Sequence, residues 1–187
     1  MEILNDFDTS VRKSLSEIDN KWEHYPGLVV CGTHSPSKEK MKSHLQKLTL
    51  ARERNIPALG ICWGFQVMVI EYLKNVIGET NRATTQELEN QPDAIVKDTG
   101  KLHVGLFGNE SYWHKFGVRK EDFIGLPFQD FHSQFLDWEG GEWVKSIQHK
   151  HHPFYVGVQY HPEYQSSATR PHPTLFLFLR AVRNHGI

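Results

Sequence analysis

Two short stretches of this sequence hold side chains suited to covalent chemistry. Cys62 is the centre of Gly60-Ile61-Cys62-Trp63-Gly64, and His161 and Glu163 lie two apart in Gln159-Tyr160-His161-Pro162-Glu163. An apolar run, Pro57–Ile61, leads into the cysteine, and a helical pattern starts almost at once after it. That order is the cysteine form of the strand–turn–helix elbow that presents a nucleophile. The turn strains its central residue, and bulky side chains at the flanking glycine positions would clash. It also aims the positive end of the next helix at the sulfur, which favours thiolate. A thiolate nucleophile needs a group to take and return a proton, and that group needs an orienter. In extended geometry residues two apart point the same way, so Glu163 is expected to hold one imidazole nitrogen of His161 while the other faces sulfur. Pro162 restrains the φ between them. Bland readings exist for each part alone: free cysteine is among the most buried residue types, and a His beside a Glu is commonly a surface pair. Both groups fall at the carboxyl ends of expected strands, the edge where open α/β sheets bind ligands, and this favours the chemical reading.

The frame that would bring them together can be read from periodicity. Asp8–Ile18 is an expected helix, with Val11, Leu15 and Ile18 on one side. Gly27–Cys31 suits a buried strand, and Lys38–Arg54 an amphipathic helix with Met41, Leu45 and Leu48 inward. Pro57–Ile61 is the next strand. Phe65–Ile77 follows as an apolar helix, with Gly78 where a C-terminal cap belongs. Strand–helix–strand–helix order predicts an α/β fold: a mostly parallel central sheet flanked by helices, in a flavodoxin-like arrangement. The polar stretch 84–129 gives no regular pattern. Phe135–Trp138 and Trp143–Ile147 form an expected C-terminal β-hairpin turning at Gly140-Gly141. Phe154–Tyr160 is a further strand, and Pro173–Asn184 a closing helix with Leu175, Phe176, Leu179 and Val182 inward. At 187 residues the chain fits one domain, 1–187.

With these elements in view, Ile56–Gln66 resembles the nucleophile segment of class I glutamine amidotransferases, and Val156–Tyr164 their His/Glu segment. Within that superfamily the sequence is most similar to the glutaminase domain of CTP synthase and its stand-alone relatives, through Ile70-Glu71-Tyr72 and the run from Ser166 to Phe178 with Arg170-Pro171-His172-Pro173. The resemblance covers most of the chain from Gly27 onward. It implies a glutaminase: Cys62 attacks the side-chain amide of glutamine, His161 protonates the departing ammonia, and water hydrolyses the γ-glutamyl thioester to glutamate. It also implies an oxyanion hole from the backbone N–H of Trp63 and one from Gly32 or Thr33. Gln66 would lie near the scissile amide, Glu87 would meet the substrate amino group, and Lys115 beside His114 would stand where the family places its carboxylate-binding arginine.

The sequence departs from that pattern in two loops. The family's Pro-Gly-Gly-Phe-Gly is Cys31-Gly32-Thr33-His34-Ser35 here, so a side chain enters the oxyanion loop at Thr33. The arginine-rich segment is Glu110-Ser111-Tyr112-Trp113-His114-Lys115-Phe116-Gly117, and lysine offers a point charge, not a bidentate fork. A γ-glutamyl amide with a different substituent would use the same triad, so a stand-alone γ-glutamyl hydrolase is the second reading. A non-catalytic regulatory or binding module on the same fold is the third, opposed by the intact Cys62, His161 and Glu163. Only Met1–Leu4 is available for the family's first strand, so that strand is expected to be rudimentary or missing.

Composition narrows the partners. Net charge is −1 with no basic stripe, which gives no footprint for nucleic acid or a membrane surface. No run approaches a transmembrane helix or signal peptide, and two cysteines suit a reducing compartment, so a cytoplasmic protein is expected. No phosphate-binding loop occurs, and the expected partners are glutamine or another γ-glutamyl amide and an ammonia-accepting synthetase. No cofactor and no metal are expected. His149, His151 and His152 read as a solvated loop in preference to a zinc site. Trp113, Trp138 and Trp143 read as core and hairpin packing, and Cys31 as packing near the site.

Overall fold

A computed structural model describes residues 1–138 and 141–185. Thirteen named elements follow in chain order: β1 (Glu2–Leu4), α1 (Asp8–Ile18), β2 (Leu28–Val30), α2 (Lys38–Glu53), β3 (Ala58–Ile61), α3 (Trp63–Tyr72), β4 (Val96–Phe107), β5 (Glu110–Val118), α4 (Lys120–Ile124), β6 (Phe131–Trp138), β7 (Gly141–His149), β8 (Tyr155–Val158) and α5 (Pro173–His185). The central sheet has the order β1-β2-β3-β8-β7-β6. β1, β2, β3 and β8 are parallel, and β7 and β6 extend the sheet antiparallel as a hairpin. The expected α/β architecture is therefore present, with its mostly parallel sheet and C-terminal hairpin. The rudimentary first strand exists: β1 pairs along its whole length with β2.

β2 and β3 are buried at every position, as strands covered on both faces must be, and so read as plain apolar runs. One face is covered by α2 and α3, through residues such as Leu48, Phe65 and Met68. The other is covered by α1 and α5, through Val11, Leu15, Phe178 and Leu179. Ser37 starts α2 by accepting the Lys40 N–H on its side chain, 3.1 Å. α3 continues through a π turn (Leu73–Ile77) to Gly78, which ends it at φ +82° as the cap position requires. Beneath α3, the buried carboxylate of Glu71 receives Arg52 through Nε at 3.0 Å and Nη2 at 2.9 Å, and the hydroxyl of Tyr155 at 3.2 Å.

Several expectations need correction. In α5 the inward aromatic is Phe178, fully buried, while Phe176 is 50% exposed. The 100° step of a helix puts Leu175, Phe178, Leu179 and Val182 on one face and carries Phe176 to the other. The hairpin strands are longer than expected, and of its expected turn Gly140 lies outside the described residues. The unread stretch 84–129 contains a second, two-stranded sheet, β4 paired antiparallel with β5, which carries much of the site. The histidines of 149–152 are not all solvated. His152 is buried with Nε2 at 3.1 Å from the Ala51 carbonyl, and burial lowers its pKa. Trp138 and Trp143 are core residues, but Trp113 is 45% exposed and belongs to the site.

Candidate active site

β3 ends at Ile61, and Cys62 adopts φ 56°, ψ −109° before α3 starts at Trp63. A left-handed φ at a non-glycine residue is costly and is held only by its surroundings. Two glycines supply the room. A Cβ on Gly60 would lie 2.7 Å from the Gly64 backbone, and one on Gly64 would lie 1.9 Å from the Val30 carbonyl oxygen. The Cys62 N–H binds the Val158 carbonyl at 2.8 Å, tying the elbow to β8. The sulfur is left at the mouth of α3, whose first-turn N–H groups have no partner within the helix.

His161 stands three residues beyond β8, with its N–H on the Ser111 carbonyl of β5 at 2.7 Å. Its Nδ1 meets Glu163 Oε1 at 2.7 Å, and both side chains are buried. The route to this pair differs from the expected extended geometry: Pro162 opens a 3₁₀ turn, Pro162–Gln165, and the turn brings the carboxylate back to the ring. The Tyr164 ring stacks on the imidazole with centroids 5.1 Å apart, and Phe7 packs beside it at 5.3 Å. Nε2 has no partner that meets hydrogen-bond geometry. Burial opposes charge on the ring. The pull of Cys62 and then of Glu163 outweighs it, and the His161 pKa is pushed up to about 10. Cys31, by contrast, is buried with its thiol pushed well up by desolvation and by the charge of Glu163. It packs, as its position suggested, and is poorly placed to react.

A cavity of about 230 Å³ opens over Cys62 and gathers most of the residues singled out in the sequence: Thr33, Trp63, Gln66, Glu87, His114 and Lys115 all line it. Gly32 lies beside the imidazole, where a Cβ would come within 3.3 Å of His161 Cε1. Lys115 Nζ is bound to Asp98 Oδ2 at 3.0 Å. Glu87 sits at the rim; nearby atoms raise its pKa by desolvation against the lowering effect of Lys115, but its exposed surface keeps it hydrated. His114 is different in kind. Burial pushes its pKa to about 3, so it is neutral, and Nδ1 binds the Phe116 carbonyl at 2.9 Å.

Other wall residues carried no signal of their own. Phe7, His34 and Trp113 form an aromatic rim, with Phe7 and His34 centroids 4.5 Å apart and His34 and Trp113 5.8 Å apart. The loop after β2 is fastened by Asp6, whose carboxylate accepts Thr33 Oγ1 at 2.6 Å and the His34 N–H at 3.0 Å. The Thr33 hydroxyl is the main reason the Asp6 pKa falls to about 2, against a smaller opposing effect of burial. The side chain that replaces a glycine in this loop thus has a structural partner. Gln159, read in the sequence only as part of its motif, reaches the sulfur itself: its Nε2 is 3.8 Å from Cys62 Sγ. Among the described residues, no three His, Cys, Asp or Glu are grouped to hold a metal ion, and no helix is long and apolar enough to cross a membrane.

Residues 5–181 match the family model described as glutamine amidotransferase class-I. The chain is 31% identical over 173 residues to a CTP synthase of Flavobacterium psychrophilum, covering 78% of this chain and 32% of that protein. It is 28% identical over 214 residues to a CTP synthase of Thermotoga maritima, covering 97% of this chain and 39% of that one. The chain therefore spans about a third of the length of these relatives. Among solved structures, the glutaminase domain of Trypanosoma brucei CTPS with bound acivicin superposes with a TM-score of 0.77 at 19% identity, covering 96% of this chain and 89% of that one.

Proposed function

The chain belongs to the glutamine amidotransferase class-I family, and from that premise we propose that it hydrolyses the side-chain amide of glutamine, with Cys62 as nucleophile. One observation supports this above others. A strained cysteine and a buried His–Glu pair stand at the ends of adjacent parallel strands, and the cysteine opens on a cavity of amino-acid size. The Cys62 sulfur adds to the amide carbon. Electron density moves to the carbonyl oxygen, which the N–H groups of Trp63 and of Gly32 or Thr33 receive. Imidazolium His161, held by Glu163, gives its proton to the leaving nitrogen, and ammonia departs. His161 then takes a proton from water, which attacks the thioester and frees glutamate and thiol. Gln66 lies against the amide end, while Glu87 and Lys115 with the neighbouring His114 serve the amino-acid end. The ammonia passes to a synthetase partner, by analogy with the relatives' greater length.

A second reading, hydrolysis of a substituted γ-glutamyl amide, draws on Lys115. It is the only lysine or arginine among the described residues lining the cavity, and Asp98 already holds it. Both readings meet one experiment. Glutamate release is measured from glutamine and from a panel of γ-glutamyl amides, for the parent protein and Cys62→Ala. Glutamine turnover lost in the variant supports the first reading, and turnover confined to a substituted amide supports the second. No turnover of any of them, with no adduct from a glutamine-like electrophile, refutes both and favours a binding module.

A further inference from the structure

We infer that Gln159 is a further catalytic residue: its side-chain N–H stabilises the anionic sulfur of Cys62, and a second amide, Gln66, anchored on the Phe116 carbonyl of β5, fixes its orientation. The inference rests on Cys62 being the nucleophile.

The orientation follows from what each partner is able to do. A backbone carbonyl only accepts, so the Phe116 oxygen, 2.7 Å from Gln66, must face Gln66 Nε2. The second proton of that nitrogen points to Gln159 Oε1 at 3.2 Å. With its oxygen so engaged, Gln159 turns Nε2 to the sulfur at 3.8 Å. Reversing Gln159 would set two NH₂ groups against each other and an oxygen lone pair against the sulfur. Both amides are buried, Gln66 at 3% and Gln159 at 1% exposure, so water offers no alternative partners.

The sulfur also has a partner of opposite kind. The Trp113 carbonyl, again from β5, lies 3.5 Å from Cys62 Sγ and accepts the proton of a neutral thiol. The nucleophile thus sits between an acceptor that suits thiol and a donor that suits thiolate, and Gln159 biases it toward the reactive form. Gln66 Oε1 is left buried without a partner in a residue that lines the cavity, and it is free to accept an N–H of the substrate amide. A substrate that engages Gln66 therefore stiffens the same relay that holds the sulfur.

The test is the pH profile of Cys62 alkylation by iodoacetamide without substrate, each cysteine followed by mass spectrometry and Cys62→Ala as background. Gln159→Met removes the donor at similar volume, and its profile is expected to move up by about one pH unit, a tenfold loss of reactive sulfur on the rising limb. Gln159→Glu keeps the shape and sets an acceptor against the sulfur, and it should move the profile at least as far. Gln66→Met, which frees Gln159 to rotate, should shift it less and in the same direction. A residue that merely packs would leave the profile in place. Parent-like profiles in Gln159→Met and Gln159→Glu, with Cys31 still protected, overturn the inference. So does a shift to lower pH. Because no glutamine is used, a protein that fails to hydrolyse glutamine yet shows these shifts refutes the proposed substrate and leaves the relay standing.

Discussion

Replacing Gly64 by alanine places a methyl group 1.9 Å from the Val30 carbonyl oxygen. Ordinary contact begins near 3.4 Å, so α3 and β2 must separate by about 1.5 Å. The obstacle is backbone on both sides, and no side chain can rotate away. Nor can α3 tilt at little cost, because all ten of its residues are buried. Overpacking of this kind costs about 1–3 kcal/mol. At about 2–4 °C per kcal/mol for a chain of this size, the melting temperature should fall by roughly 2–12 °C. The first turn of α3 carries the sulfur and the expected Trp63 donor, and a misplacement near 1 Å costs about 10²-fold in rate. The assay pairs thermal melts with glutamate release. Gly78→Ala is the control: it strains a left-handed φ of +82° but meets no atom within 4 Å, so it should cost about 1 kcal/mol and leave turnover intact. A Gly64→Ala protein that melts and turns over like the parent would refute the claim that close approach of α3 to β2 sets the position of Cys62.

Glu163→Gln should lower kcat by about 10⁴, because an amide presents an N–H to Nδ1 and reverses the tautomer; a loss below tenfold would argue against the proposed role of the pair. The same pair gives a stability prediction. The folded-state pKa of His161 is raised from 6.5 to about 10, so its stabilisation is fully present below pH 6.5 and is lost as pH rises through 10. Melts from pH 6 to 10 should therefore fall more steeply in the parent than in Glu163→Gln, and parallel curves would contradict this. Asp98→Asn frees Lys115 for a substrate carboxylate and should lower KM for glutamine about 1.4- to fivefold with kcat unchanged, since a part-exposed pair holds about 0.2–1 kcal/mol; an unchanged or higher KM refutes it. Arg52→Met strands the buried Glu71 carboxylate and should destabilise the fold by about 3–5 kcal/mol, read as a lower denaturation midpoint.

β2 and β3 were legible because they are apolar on both faces, and α1 and α5 because each buries a one-sided stripe. α1 begins and ends where the spacing of Val11, Leu15 and Ile18 puts it. The β4–β5 sheet was not legible because its pattern is inverted. Leu102, Val104 and Leu106 point outward, each more than half exposed, while His103 and His114 are buried and stacked 5.2 Å apart, with Trp138 4.4 Å from His103. A hydrophobicity pattern would turn Leu102, Val104 and Leu106 inward and His103 to solvent. Cys62 and the His161–Glu163 pair were visible in short local motifs. The cavity walls were not, since Phe7, His34, Leu102 and Trp113 are gathered around the same cavity as Cys62 only by tertiary packing. Gln159 was visible as a letter in a motif, but its contact with sulfur depends on Gln66 and Phe116, far away in sequence.

The pairing of β3 with β8 has a consequence for how this protein comes into being. Ala58 lies beside Tyr155, so the strands that lead to Cys62 and to His161 are separated by nearly a hundred residues of chain. Pairings of that span are slow, because loop closure must precede any reward from contact. During synthesis the elbow segment leaves the ribosome long before its partner, and its first parallel strands wait with one edge open. The Cys62 sulfur therefore emerges before the His161 ring. The two side chains come together only once β8 lies between β3 and β7, so the site cannot form before the sheet is complete there.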